Sequence, residues 1–329
     1  MDIEFHYYLT KYLALEAGLE PDEAEIVAYS SQYVDDNAYR FNIQTPAGST
    51  YANYISQTPD ITQPEKVLMR IHILFHFLPG DPTSPKVRRR DGKMHLLITS
   101  PASTHAQEIF YDTTRSEDLY MLGIASHMLA DTFAHQSFIG NLEEMNDMKG
   151  IWETLEPKIG HAAAGFMPDI PNLIWEDPRL IDKNKIINNK ERLMLAARKL
   201  YNNFLIITSR EEDWTPVKNR IEDIIGEMIS ENQLSLVKGQ RQKRIQQYLK
   251  LLGNFTPQNE YNSRAWLTQT VKEKAVATAA RITPSDSLTF TTDYENSNWF
   301  RFQEAIREYQ QIATNKLEPI IAQLDIREW

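Results

Sequence analysis

In the segment SHMLADTFAHQSF, His127, Asp131 and His135 are spaced i, i+4, i+8. At about 100° per residue this places all three within roughly an 80° arc of one helix face. Such a helix cannot simply bury its stripe in an apolar core. Each imidazole and the carboxylate needs a partner, and an apolar face of equal volume would cost less. The fold must either satisfy the stripe as an internal His–Asp hydrogen-bond ladder or hold a cation against it. Zinc takes neutral imidazole nitrogen and carboxylate oxygen at about 2 Å, so two ligands one turn apart can meet one ion. The third, one turn further on, more naturally reaches a neighbouring ion.

All eight histidines, at positions 6, 72, 76, 95, 105, 127, 135 and 161, lie in the first half of the chain. Any single one fits a half-buried polar residue, but their grouping is harder to explain that way. Cysteine is absent, which excludes disulfides, thiolate nucleophiles and sulfur-rich zinc sites. Any metal must be held by His, Asp or Glu. Asp35 and Asp36 close a predicted helix, where two carboxylates oppose the dipole and each other. Arg40 or a bound cation would compensate. His72 and His76, again i and i+4, can share a face of the third helix.

The rest of the text is mostly helix-period, with 12 glycines and few alternating β-branched runs, and predicts an all-α, multi-helix bundle. Helices are expected over Ile3–Ala17, stopped by Gly18, and from Pro21 to near Asp36. A third should cover Gln63–Phe77, ending before Pro79-Gly80. VRRR-DG-KMHLLIT, residues 87–99, reads as one small β-hairpin turning at Asp91-Gly92. Ser116 is the expected cap of the long helix that runs through His135. Further helices are expected over Lys183–Ile207, Trp214–Ile229, Leu234–Leu252, Arg264–Ala280 and Asn298–Ala322.

With 329 residues, 42% of them hydrophobic, the chain can bury a substantial core as one large domain or two ordinary ones. The proline-marked run GFMPDIPNLIWEDPRL is the candidate boundary. It divides a metal-binding helical core, 1–175, from a helical second half, 176–329, packed on that core or forming a cap. A protein partner could use this second half. Net charge is −10, from 45 acids against 35 bases, so no extended nucleic-acid binding is expected. Lys86-Val-Arg88-Arg89-Arg90 leaves room for a local phosphate contact. No transmembrane segment and no secretory signal are legible, so the cytoplasm is the default location, although signal-independent export would leave no trace.

In chain order the candidate ligands are His6, Asp35, His76, His127-x3-Asp131, His135 and His161. Tyr-Val-Asp35-Asp, His76-Phe77 followed by Pro79 and Asp81, and above all His127-Met-Leu-Ala-Asp131 resemble the zinc-dependent phospholipase C and single-strand-specific nuclease superfamily. The likeness covers about residues 1–170 and is nearer to uncharacterised bacterial relatives than to the secreted phospholipases. It implies an all-helical fold with two to three zinc ions in a cleft. It further implies that Asp35, His76, His127 and Asp131 surround one ion and that Asp131 bridges to a second, which His6 joins. His135 and His161 would hold the third. In the secreted enzymes a processed N-terminal Trp gives its amino group and carbonyl to zinc, whereas here the residue is Met1. That family also places an acid four residues after its last His. Gly165 stands there, and Asp169 is the candidate replacement. Asp36 is a further candidate ligand, and His72 would orient a ligand through its other ring nitrogen. His95 and His105 match nothing in the pattern.

The implied activity is metal-dependent phosphoric-ester hydrolysis by activated water, phospholipase C-like, on a small-molecule or lipid phosphodiester, with Asp35 as water-orienting ligand or base. Nuclease-like phosphodiesterase activity is the nearer alternative. A non-enzymatic helical interaction protein with a structural or vestigial metal site is the other. An HD-type phosphohydrolase is disfavoured, because adjacent His-Asp and HExxH are both missing from the chain.

Overall fold

The computed structural model describes residues 1–59, 68–148, 158–257, 260–273 and 288–324. A π-helical turn, Glu4–Leu9, runs into α1 (Thr10–Glu16), which ends at Gly18 with φ +93°. Pro21 opens α2 (Pro21–Asp36), whose start is closed by a reciprocal capping box between Glu20 and Glu23. A short α3 (Met69–Ile71) continues as a second π-helical turn, His72–His76. The remaining helices are α4 (Thr104–Thr114), α5 (Leu119–Ala134), α6 (Asn189–Thr208), α7 (Trp214–Ile225), α8 (Val237–Leu252), α9 (Ala265–Thr270) and α10 (Asn298–Gln323).

α5 is the axis of the molecule. Every residue from Tyr120 to Ala134 is buried, as expected of a helix apolar all round and covered on every side. α2, α4, α6 and α10 pack against it. The closest approach is at Gly123, where an added Cβ would lie 2.4 Å from the Val27 carbonyl oxygen and 2.5 Å from Ser30 Cβ of α2. One turn beyond Gly123 comes His127, and one turn beyond Ser31 comes Asp35. This contact therefore fixes the spacing between the two ligand-bearing helices.

Several expectations need correction. The protein is helix-rich but not all-α, because two small mixed sheets interrupt the bundle. One has the order β2-β1-β7-β6, from β1 (Asn42–Gln44), β2 (Thr50–Ala52), β6 (Val271–Glu273) and β7 (Leu288–Phe290), with β1 and β7 parallel. The other has the order β4-β3-β5, from β3 (Leu173–Glu176), β4 (Ile186–Asn188) and β5 (Ile229–Ser230). Strands of two to four residues are too short to display an alternating pattern.

The predicted hairpin over 87–99 does not form. Gly92 does turn, at φ +71°, but the arms pair elsewhere. The Arg90 N–H donates to the Arg179 carbonyl and the Ile181 N–H to the Arg88 carbonyl, while the Thr99 N–H donates to Phe138. Arg89 is buried, spans both Asp91 oxygens and donates to the Met145 carbonyl, so the basic run serves as a structural clamp there. Asp118, not Ser116, caps α5 by accepting from the Tyr120 and Met121 N–H groups. Ser116 instead donates back to the Thr113 carbonyl.

The helix expected over Lys183–Ile207 begins at Asn189, and that over Trp214–Ile229 ends at Ile225, since β4 and β5 take the flanking residues. The helix expected over Arg264–Ala280 gives way to β6 at Val271. Its residues 274–280, and 63–67 of the expected third helix, lie outside the described residues.

One hydrophobic cluster runs from Phe5 through α2, α5, α6 and α10 to Ile321, so the later helices share the core of the earlier ones. α10 also reaches the ligand-bearing turn directly: the Tyr309 hydroxyl donates to the Leu74 carbonyl at 2.9 Å. Gly123→Ala should push α2 from α5 and destabilise the fold by about 1–3 kcal/mol, the usual cost of overpacking. Denaturant melts would read this as a lower midpoint, and an unchanged midpoint would contradict the close-approach account.

Candidate metal centre

Three groups of side chains converge at the C-terminal half of α5. They are His6, His127 and Asp131; Asp35, His76 and His127; and His135, His161 and Asp169. In each group the donor atoms lie within 4.8 Å of one another. Asp131 sits between them at 1% exposure. Its Oδ1 is 3.2 Å from His6 Nε2, and its Oδ2 is 3.3 Å from His76 Nδ1, 3.2 Å from His127 Nε2 and 3.5 Å from His135 Nδ1. Asp35 Oδ1 lies 3.6 Å from His76 Nδ1 and 3.8 Å from His127 Nε2. Asp169 approaches both His135 Nε2, at 3.6 Å, and His161 Nε2, at 3.7 Å.

Backbone carbonyls fix the ring protons. His127 Nδ1 is 2.8 Å from the Ser31 carbonyl, and His76 Nε2 is 2.9 Å from that of Ser56. His135 Nδ1 is 2.8 Å from the His76 carbonyl, and His161 Nδ1 is 2.7 Å from that of Gly165. A carbonyl only accepts, so each of these nitrogens carries the proton and donates. In the neutral rings the opposite nitrogens are then bare lone pairs. His76 Nδ1 and His127 Nε2 face each other at 3.2 Å with Asp131 Oδ2 beside both. While both rings are neutral, these three acceptors in mutual contact have no donor to join them. Buried Asp169 Oδ1 likewise makes no hydrogen bond of ordinary geometry and meets only the longer approaches of His135 Nε2, at 3.6 Å, and the Met1 amino group, at 3.4 Å. Imidazoles oriented by backbone carbonyls, with lone pairs and carboxylates aimed at common points, fit a divalent metal. They do not fit a closed His–Asp ladder, which would need a proton in each gap.

The two π-helical turns, Glu4–Leu9 and His72–His76, carry His6 and His76. A π turn offsets the side chains that follow it, and such turns gather at functional sites. No local pattern in the sequence signals either of them. His6 is the exception among the site imidazoles, since its Nδ1 is buried without a partner while its ring stacks on His127 at 3.9 Å. The Met1 amino nitrogen also enters the centre. It contacts Asp131 Oδ1 and lies 3.4 Å from Asp169 Oδ1 and 3.5 Å from His135 Nε2.

Gly165 is no gap in the third group. With φ +56° and ψ −134° it takes a conformation suited to glycine and turns its carbonyl onto His161. Asp169 closes the group from the 3₁₀ turn Met167–Asp169.

Two expected site residues face elsewhere. Asp36 accepts from the Tyr261 hydroxyl at 2.8 Å and the Gln32 amide at 3.3 Å, because one residue of helix rotation turns it about 100° from Asp35. His72 pairs with Thr58 at 3.2 Å and bonds to no candidate ligand. Its proposed task falls to the Ser56 carbonyl, which orients His76. His95 lies 3.5 Å from Glu143, and His105 is on α4, both outside the three groups.

The charges are tightly linked. Burial alone would raise the Asp131 carboxyl, yet His135, the Met1 amino group and His127 hold it well below the ordinary range. Asp169 is lowered too, with the Met1 amino group and His161 outweighing burial. Burial opposes protonation of His76, but its contact with Asp131 and the nearby Asp35 carry its pKa above the usual value. Burial drives His6 the other way, down to about 4.

Asp35, 27% exposed, is where the centre meets solvent. It borders an open cleft of about 430 Å³, whose walls include Asp2, Asp36, Arg241 and Tyr261. The first half therefore supplies the donors, and α8 with the segment around Tyr261 supplies the opposite wall.

The chain belongs to a family of unknown function, DUF6765. Its sequence model matches residues 1–317. The match thus includes both the donor groups and the α8 wall. No curated protein and no solved structure matches the chain. Among the described residues, no helix is long and apolar enough to cross a membrane.

Asp131→Ala should abolish high-affinity metal binding, since that carboxylate touches donors of every group. Asp169→Asn should remove one ion and leave the Asp35–His76–His127 group loaded, which metal analysis of the two purified variants would read. Where the raised His76 ring carries a second proton on Nδ1, a metal ion must displace it, so affinity should rise as the pH is raised through and above the ordinary imidazole range. Chelator competition across that range checks the sign, and a flat profile would contradict it.

Proposed function

We propose that the protein is a zinc-dependent phosphoric-ester hydrolase, phospholipase C-like, acting on a small-molecule or lipid phosphodiester through activated water. The observation carrying this reading is the set of bare imidazole nitrogens and carboxylate oxygens that face one another around Asp131. Nitrogen and oxygen donors without thiolate suit zinc, although the same set admits other divalent ions. Closely spaced zinc ions lower the pKa of bound water towards neutrality and stabilise both the attacking and the leaving oxygen of a phosphodiester.

This chain's own residues divide the remaining work. His76 and His127, locked by the Ser56 and Ser31 carbonyls, keep their bare nitrogens turned inward. Asp131 holds the first and second groups in register, and His135, His161 and Asp169 form the third. Asp35 alone among the Asp35–His76–His127 group borders the cleft, and its carboxylate would orient the attacking water and accept its proton. No serine or cysteine nucleophile is required. Carboxylates of Asp2, Asp35 and Asp36 on the cleft wall disfavour a polyanionic strand, which places a compact diester ahead of nucleic acid.

Purified protein supplied with zinc should bind about two to three ions per chain and hydrolyse bis(4-nitrophenyl) phosphate or phosphatidylcholine in preference to single-stranded DNA. Asp35→Asn should lower kcat by about 10²–10⁴-fold, the usual contribution of a positioned base. Zinc near zero after supplementation would reject the reading. Bound zinc with no turnover of any of the three substrates would instead favour a structural or interaction role.

A further inference from the structure

Arg241 stands across the cleft from Asp35, on the first turns of α8. It is the one cationic side chain among the described residues lining that cleft. Its Nε lies 3.1 Å from Asp2 Oδ2, and among the described residues its Nη nitrogens show no hydrogen bond to a protein acceptor. Asp2 thus pairs with the guanidinium on its Nε side, while the side chain, 45% exposed, lines the cleft. Asp36 does not compete for it, being occupied by Tyr261 and Gln32.

The backbone beneath Arg241 is fixed with respect to the metal donors. One turn along α8, Arg244 donates through Nε at 2.6 Å and Nη2 at 2.9 Å to the two oxygens of Glu4, with both side chains almost fully buried. Glu4 belongs to the π-helical turn that carries His6. The third Arg244 nitrogen reaches Asn172 Oδ1 at 3.3 Å, three residues beyond Asp169. The segments carrying His6 and Asp169, of the first and third donor groups, are therefore tied to the helix that bears Arg241.

We infer that Arg241 binds the non-bridging phosphoryl oxygens of the substrate and of the phosphate monoester product, with Asp2 as its orienting partner. This rests on the phosphoric-ester reading above. A planar fork with two free Nη groups matches two oxygens of one phosphoryl group, which a lysine's point charge cannot do. Holding the fork by Asp2 before binding reduces the ordering cost when the anion arrives. The substrate class so defined is an anionic phosphate ester small enough to place its phosphoryl group between Asp35 and Arg241. Neutral phosphotriesters are excluded.

The test compares zinc-loaded wild type, Arg241→Gln and Arg241→Lys by zinc content, calorimetric titration with inorganic phosphate, and KM and kcat for bis(4-nitrophenyl) phosphate. Arg241→Gln should keep its zinc and thermal midpoint while weakening phosphate binding about 10- to 100-fold, with kcat/KM for the diester falling alongside. Arg241→Lys should recover part of the loss. Wild-type zinc binding with phosphate affinity unchanged in Arg241→Gln, or with no phosphate binding in any form, overturns the role of Arg241 and leaves the metal reading intact. Failure of the wild type to bind zinc overturns both.

Discussion

A carboxylate at 1% exposure, in the last turn of a helix buried on all sides, is the constraint around which this molecule is built. Asp131 can remain ionised there only if positive charge or donors surround it, and its surroundings come from its own helix and two distant stretches of chain. His6 arrives from the first helical turn, His76 from the second π turn, and His127 and His135 from its own helix. The imidazoles contribute more lone pairs than protons. Their protons are already committed to the carbonyls of Ser31, Ser56 and His76. A cation at this point would turn facing acceptors into ligands, so metal binding and the stability of the centre are the same free energy seen from two sides.

The legible parts of this arrangement are those written in helical spacing. His127, Asp131 and His135 announce one face because a regular helix converts four-residue intervals into proximity. Gly18 and Pro21 mark their helix ends for equally local reasons. Where the backbone leaves the regular period, reading by spacing fails. Asp35 and Asp36 are neighbours with the same chemistry, yet one faces the imidazoles and the other faces Tyr261, more than two hundred residues away. His72 and His76 look like an i, i+4 pair on one face, but the π turn that contains them separates their partners into Thr58 and Asp131. The carbonyls that set the imidazole tautomers have no side-chain signature at all. The two sheets escaped notice for a related reason, since their pairing is decided by tertiary contacts among strands too short to carry a period.

The second half is part of the same physical unit as the first. α6 and α10 cover two sides of α5 within one continuous apolar cluster, and Tyr309 holds the carbonyl of Leu74 within the turn that presents His76. α8 is tied through Arg244 to Glu4, a buried ion pair whose net contribution to stability is small or negative by ordinary accounting. An apolar pair of similar volume would fill that space at no desolvation cost, but it would not fix direction. Bidentate geometry does, and it sets α8 in a single register against the segment carrying Met1 and His6.

Register matters because the centre meets one of its clefts at Asp35. That cleft runs between Asp35 and the α8 wall, while α5 and the carbonyl-bound imidazoles close the centre from within. An acidic cleft facing a multi-carboxylate centre would repel anions in the absence of cations. Under the proposed hydrolase reading, divalent ions in place would reverse the local sign and attract a diester towards Asp35. Metal occupancy would thereby control substrate access as well as chemistry. On the proposed reading, a chain with ten more acids than bases would in this way present a positive interior only to molecules small enough to pass its negative rim.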